Sequence, residues 1–216
     1  MNKPKAKFII SRYKESFDWI NNYTNNYLIY NKGEPILNNS HVINTENIGG
    51  NQRDIFKFIY ENHNNLPKLM AFIQADPFPH CKKEIFDKLI YNDVFTPLEY
   101  YGMLPSNTFE SRNKEGGFLE INNSWYIPSH NSTHKLKCKY SSFNEFMNKY
   151  FKNYVRLEWI RFAPGSQYII RDTQALYYPR KFWQSLMNEL PENNMTEAHI
   201  IERALYYILG NYYEQK

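Results

Sequence analysis

Residues 68–80, KLMAFIQADPFPH, constrain the fold more than any other stretch of this chain. Leu69-Met70-Ala71-Phe72-Ile73 is apolar at every position, the pattern of a strand covered on both faces. After Gln74-Ala75-Asp76 the ladder has to stop, because Pro77 and Pro79 lack the N–H that further pairing needs. A carboxylate, Asp76, therefore sits at the open carboxyl end of a central strand, where α/β sheets place ligand chemistry. The plainer reading is that Asp76 only shapes the turn before Pro77.

The segments on either side supply the rest of such a sheet. Phe8-Ile9-Ile10 predicts a strand ending in the polar Ser11-Arg12-Tyr13, and Ser16 is placed to cap a helix over 17–23. Tyr27-Leu28-Ile29-Tyr30 predicts a second strand, closed by the Asn31-Lys32-Gly33 turn, and His41-Val42-Ile43 a third. From Asn47-Ile48-Gly49-Gly50-Asn51-Gln52-Arg53-Asp54 a helix runs to about Asn62, with Ile55, Phe56, Phe58 and Ile59 on its apolar side. Its glycine-opened N-terminus and Arg53 suit an anion, although the stretch is neither a Walker A loop nor a Gly-x-Gly-x-x-Gly fingerprint. Strand and helix alternating at this spacing argue for an α/β fold, a mainly parallel central sheet flanked by helices.

Beyond the central strand, a helix is expected over 82–90, and 92–117 has no regular period. Phe118-Leu119-Glu120-Ile121 reads as a strand and Trp125-Tyr126-Ile127-Pro128 as a turn. A helix over 143–151 is capped by Ser141 or Ser142. Strands are expected over 155–162 and 167–170, with short helices over 172–176 and 179–189. Thr196 caps a last helix over 197–209, which Gly210 ends. No repeat and no linker interrupts the chain, so one domain over 1–216 is expected.

Composition narrows the partners. At 42% hydrophobic and 18% aromatic the chain is too apolar to be disordered, and its net charge of +4 is scattered. No basic stripe marks a nucleic-acid partner. Cys81 and Cys138 stand alone, with no Cys-x-x-Cys pair and no His-Cys cluster, which argues against structural zinc and for a reducing compartment. The four or so apolar residues after the basic start are too few for a secretion signal, and no run reaches the ~20 of a membrane span. A cytoplasmic protein with no membrane span is the expectation.

Several segments together carry a likeness. Tyr30-Asn31-Lys32-Gly33, Asn47-Ile48-Gly49, Glu61-Asn62-His63-Asn64-Asn65-Leu66-Pro67, Phe72-Ile73-Gln74-Ala75-Asp76-Pro77-Phe78-Pro79-His80 and Ile201-Glu202-Arg203 follow in the order of a known group. The chain resembles a family of short domains found in fungi and large DNA viruses, and the small virus-encoded glycosyltransferases of GT-A type. The likeness spans about 8–209 and is densest over 47–80. It implies a GT-A-like single domain, with a nucleotide-binding half over about 1–92 and an acceptor-side half over about 93–216. It also implies a nucleoside-diphosphate sugar donor, UDP-linked by preference, a glycan or glycoprotein acceptor, and manganese or magnesium. A viral origin would make the compartment the host cytoplasm.

In that family an Asp-x-Asp motif holds the metal under the diphosphate, and Asp76 occupies its place. Gln74-Ala75-Asp76 has one carboxylate where the motif has two, and Gly49-Gly50-Asn51 replaces a Gly-Arg-Glu of many members. The resemblance implies donor contacts from Ser11, Arg12, Tyr13, Lys32, Asn47, Gly50, Asn51 and Arg53. Sugar transfer must neutralise the charge that builds on the leaving phosphate, which a cation on Asp76 with Arg12, Lys32 or Arg53 would do. An inverting transferase also needs a carboxylate to take the acceptor proton, and Glu202 and Asp172 lead Glu120 and Glu197 for that role. His199, three residues before Glu202 on one helix face, is a candidate second metal ligand, as is His80. Each also has a purely structural explanation: a solvated charge, a buried ion-pair partner or a half-buried histidine. Tyr100-Tyr101, Trp125-Tyr126 and Tyr177-Tyr178 offer stacking faces to a sugar or simply pack. A non-catalytic module that binds nucleotide sugars or carbohydrate on the same fold is the competing function, and a nucleotidyltransferase-like α/β enzyme a third.

Overall fold

The computed structural model describes residues 3–99, 110–114, 117–120, 126–128, 139–140, 142–192 and 197–216. Its strands are β1 (Lys7–Arg12), β2 (Tyr27–Asn31), β3 (Val42–Asn44), β4 (Leu69–Gln74), β5 (Thr96–Pro97), β6 (Glu110–Lys114), β7 (Gly117–Glu120), β8 (Tyr126–Pro128), β9 (Trp159–Arg161) and β10 (Tyr168–Arg171). Its α-helices are α1 (Gly50–Asn62), α2 (Lys83–Leu89), α3 (Phe143–Tyr150), α4 (Asp172–Ala175), α5 (Arg180–Asn188) and α6 (Glu197–Leu209).

The fold is α/β, built on a mixed six-stranded sheet in the order β3-β2-β1-β4-β10-β5. The pairs β3–β2, β2–β1 and β1–β4 are parallel. The β4–β10 and β10–β5 pairs are antiparallel, so the expected parallel character holds only for the N-terminal part. The reason lies in the connections. The first four strands are joined by crossovers, whereas β10 arrives from the C-terminal half and inserts beside β4. The proposed halves at residue 92 therefore interlock through one sheet. In a second, four-stranded antiparallel sheet, β8-β7-β6-β9, β7 and β9 fall in segments expected as strands, β8 in the segment expected as a turn and β6 in the stretch without a regular period.

Strand β4 is covered on both faces as its composition demands. Met70 and Phe72 pack with Ile55, Phe56, Phe58 and Ile59 of α1 and with residues of α3, α5 and α6. Leu69, Ala71 and Ile73 pack on the other side with Phe86 of α2, Ile20 and Ile10. Ser142 caps α3 by accepting the Glu145 N–H at 3.1 Å. The helix expected over 17–23 is a 3-10 turn, Asp18–Asn22, in which the Ser16 hydroxyl accepts the Asp18 N–H at 3.3 Å. Among the described residues no helix is long and apolar enough to cross a membrane. Thr196, Ser141, Cys138 and Tyr100-Tyr101 lie outside the described residues.

Candidate functional site

The carboxyl ends of β1, β2 and β4 open on one edge of the sheet, and the strand order reverses at β1, with β2 on one side and β4 on the other. In open α/β sheets that reversal leaves a crevice for ligands. Here it holds a cleft of about 260 Å³. Ser11, Arg12, Tyr13, Lys32, Asn47, Gly50, Asn51 and Asp76 all line it, with Glu15, Gln74 and Ala75. Eight residues singled out from the sequence thus share one surface.

Asp76 is exposed at the cleft, on a turn held from several directions. The Ala75 N–H donates to the Ser11 carbonyl at 2.9 Å, and the Trp19 indole donates to the Ala75 carbonyl at 2.7 Å. Gln167 accepts the Gln74 N–H at 3.3 Å and donates to the Pro77 carbonyl at 3.2 Å. The Pro77 carbonyl also accepts the His80 and Cys81 N–H groups. These bonds fix the backbone that carries Asp76 before any ligand arrives.

At the same cleft, α1 opens through two left-handed glycines, Gly49 at φ 67° and Gly50 at φ 60°. A Cβ on Gly49 would lie 2.9 Å from the Leu190 carbonyl, so that position is closed to larger residues by packing as well as by conformation. Gly50 and Asn51, in the first turn of α1, line the cleft, and the first N–H groups of a helix have no partner within it.

The charged residues divide by what already occupies them. Arg12 stays at the surface, where its guanidinium donates to Asn31 Oδ1 at 2.5 Å and to the carbonyls of Glu15 (2.8 Å), Tyr13 (3.3 Å) and Lys14 (3.5 Å). Glu15, which the sequence did not single out, accepts the Tyr13 and Lys14 N–H groups at 2.8 and 3.0 Å. Partial burial works to raise its carboxyl, and these N–H groups with Arg12 hold it below the usual range. Lys32 lines the cleft, yet its amine is spent. It pairs with buried Asp54 at 3.0 Å and donates to the Ile48 carbonyl at 3.2 Å and to the Gly50 carbonyl. An ammonium has three N–H donors, so none is left for a phosphate. Burial raises the Asp54 carboxyl, while Lys32 and the Ser11 hydroxyl act against it.

Four assignments fall outside the cleft. Arg53 turns away and donates to the Met187 and Leu190 carbonyls at 2.7 and 2.9 Å, capping the end of α5, because three residues beyond Gly50 the helix faces that element. Asp172 follows β10, whose antiparallel run carries it to the opposite edge of the sheet. There it pairs with Lys68 at 2.6 Å, and that hydrogen bond holds its carboxyl low against the opposing effect of burial. Glu202 sits behind the Pro164–Ser166 turn, accepting the Gly165 N–H and the Arg203 guanidinium, each at 2.8 Å. Burial pushes its carboxyl up, to about 7, against that N–H. The neighbouring guanidinium pulls the same way as the N–H. His199, half-buried on α6, does not line the cleft, and burial lowers its pKa.

The Pro164–Ser166 turn connects these elements. Asn51 donates to the Gly165 carbonyl, and Gln52 donates to the Ser166 hydroxyl at 3.0 Å. Gly165 adopts φ 75°, and a Cβ there would meet the His80 ring at 2.6 Å. His80 itself is half-buried; burial lowers its pKa and Asp76 opposes that shift. Away from the cleft, Glu197 accepts the Lys139 N–H at 2.8 Å, and Tyr178 is buried against Phe182 with ring centres 4.3 Å apart. The Glu120 side chain lies outside the described residues. Compared with protein families, with curated proteins and with solved structures, this chain finds no match.

Gln74 was legible as a site residue. It lies two positions before Asp76 at a strand end, where alternate side chains share a face. Glu15 had no such signal, since its place depends on how an irregular turn folds back on Arg12.

Proposed function

We propose that the protein is a GT-A-type glycosyltransferase that takes a nucleoside-diphosphate sugar, UDP-linked by preference, in the cleft between β1, β4 and α1. The observation that carries the reading is that the exposed Asp76 and the glycine-opened start of α1 line one cleft. A diphosphate there would meet the positive end of a 13-residue helix on one side and the Asp76 carboxylate on the other. The carboxylate repels a bare diphosphate, so a divalent cation between the two is the arrangement that makes electrostatic sense. At about 260 Å³ the cleft is just below the ~300–1,000 Å³ of small-ligand sites, a size for the diphosphate and its immediate neighbours rather than the whole donor.

The donor set fits such a cation in a limited way. Among the described residues no group of three His, Cys, Asp or Glu side chains comes together. Magnesium- and manganese-type ions commonly use one or two carboxylates, waters and substrate phosphates. Asp76, with Gln74 as a second residue on the same cleft wall, would therefore hold manganese or magnesium only with the nucleotide present. Bound there, the cation would stabilise negative charge on the departing diphosphate. In the transfer, an acceptor hydroxyl of a glycan or glycoprotein bonds to the anomeric carbon as the bond to the diphosphate oxygen breaks, and the hydroxyl proton leaves to solvent or phosphate. Arg12 and the α1 N–H groups would orient the leaving group.

Titration calorimetry of UDP with manganese tests the assignment. Asp76→Ala should weaken the metal-dependent binding at least tenfold while leaving the thermal melting temperature unchanged, since Asp76 is exposed. Undiminished binding in that variant defeats it. A second reading, a nucleotide-sugar-binding module without turnover, is favoured by the commitment of Lys32, Arg53 and Glu202 to structural contacts. Release of sugar from UDP-sugars by the purified protein separates transferase from module.

A further inference from the structure

The opposite edge of the same sheet holds a second cavity, of about 350 Å³, at the amino ends of β1 and β4. In the ladders Lys7 lies beside Met70 and Arg171 beside Leu69, which brings three separate segments to one place. Along β4 this edge is roughly 17 Å from the Asp76 cleft, five steps of about 3.3 Å. The two cavities do not share a wall residue.

Lys5, Lys7, Lys68 and Arg171 line it, with Asn26 and one carboxylate, Asp93. Counting Asp172, which pairs with Lys68, the rim still keeps two positive charges in excess. That is half of the formal +4 of the whole chain. The Asp93 contacts are loose, 3.6 Å to Lys5 and 3.8 Å to Arg171, with Asp93 about half exposed. Such pairs contribute little and are easily exchanged for a better anion. Lys7 is half-buried on β1 and has no ion-pair or hydrogen-bond partner for its amine among the described residues. Arg171 donates through Nε to the Asp93 carbonyl at 2.6 Å, which anchors the guanidinium and leaves Nη1 uncommitted among the described residues. Asn26 lines the cavity and uses its backbone N–H on Thr24 and its carbonyl on Phe8, neither of which engages its carboxamide.

We infer that this cavity is a binding site for a compact phosphate-bearing anion, gripped by Lys7, Lys68 and the Arg171 guanidinium with the Asn26 carboxamide as a neutral contact. An anchored guanidinium with a free edge suits phosphate oxygens, and two lysines add charge without demanding one geometry. The size suits a pyrophosphate or a sugar phosphate, within the range of small-ligand sites. The site stands independently of the reading of the Asp76 cleft.

The test uses inorganic pyrophosphate on the full chain in low-salt buffer, by calorimetry and by amide shifts of the ¹⁵N-labelled protein. Saturable binding should move the Lys7, Leu69 and Arg171 amides. The double variant Lys7→Met/Lys68→Ala should weaken it tenfold or more, each single change several-fold, and Asp76→Ala should leave those shifts in place. Lys68 is exposed and Met keeps the Lys7 stem, so the single variants report even if the pair is destabilised. Shifts confined to Ser11, Gly50 and Asp76, binding indifferent to the lysine changes, or no saturable binding would each overturn the site.

Discussion

At the scale of single residues, the cleft separates charges that are available from charges already spent. Lys32 and Asp54 are each about 95% buried and 3.0 Å apart, and together they fix the start of α1 to the end of β2. Removing one partner strands the other in a dry place, which costs about 3–5 kcal/mol. Lys32→Met should therefore lower the stability measured by urea unfolding by that amount, more than loss of any single surface contact around the cleft. The sequence offered Asp76 as the centre of the site and Lys32 as one of its cationic partners, both polar residues just past buried strands. What distinguished them was Asp54, 22 positions on from Lys32, whose inward placement on α1 no local pattern announced. Asp76 has no such partner among the described residues, and the proline that follows it keeps it at the rim.

At the scale of elements, the N-terminal strands and α1 were legible because each carries its own periodicity and its own stop signal. Phe8-Ile9-Ile10, Tyr27-Leu28-Ile29-Tyr30 and the 68–80 stretch all become strands whose polar ends meet, and the Gly-Gly turn starts α1 where the pattern placed it. The pieces that escaped are defined by distant pairing. The direction of β10 depends on β4, nearly 100 residues earlier, and the Pro164–Ser166 turn has meaning only against Asn51, Gln52 and Glu202. Arg53 belongs to this class, a helix residue that serves a different helix. Hydrogen bonds from a charged donor are worth about 1.5–3 kcal/mol. Arg53→Met should lose about that much in urea unfolding, by uncapping α5, while the affinity for UDP with manganese stays within twofold of wild type. A large drop in affinity with unchanged stability would return Arg53 to the donor site.

At the scale of the whole molecule, stability against acid concentrates where α3 meets the end of α5. Glu189 is buried there and accepts from Lys149 at 2.8 Å, from Lys139 and from the Tyr150 hydroxyl. Burial works to raise its carboxyl, and Lys139, Lys149 and Tyr150 outweigh it, bringing it down to about 2 from an ordinary value near 4.5. A carboxyl lowered on folding stabilises the fold above its unfolded pKa and loses that contribution as pH falls toward the folded one. Melting temperature should fall between about pH 4.5 and pH 2, and Glu189→Gln should be less stable at neutral pH with a flatter profile across that window. The interleaving of the sheet has a different consequence, one that concerns synthesis rather than solution conditions. Until residues 168–171 emerge and dock, the most apolar strand of the chain has a bare flank whose backbone groups will accept any extended neighbour. A version cut at residue 160 should collect in the insoluble fraction on expression, and supplying the missing ribbon in trans should draw part of it back into solution.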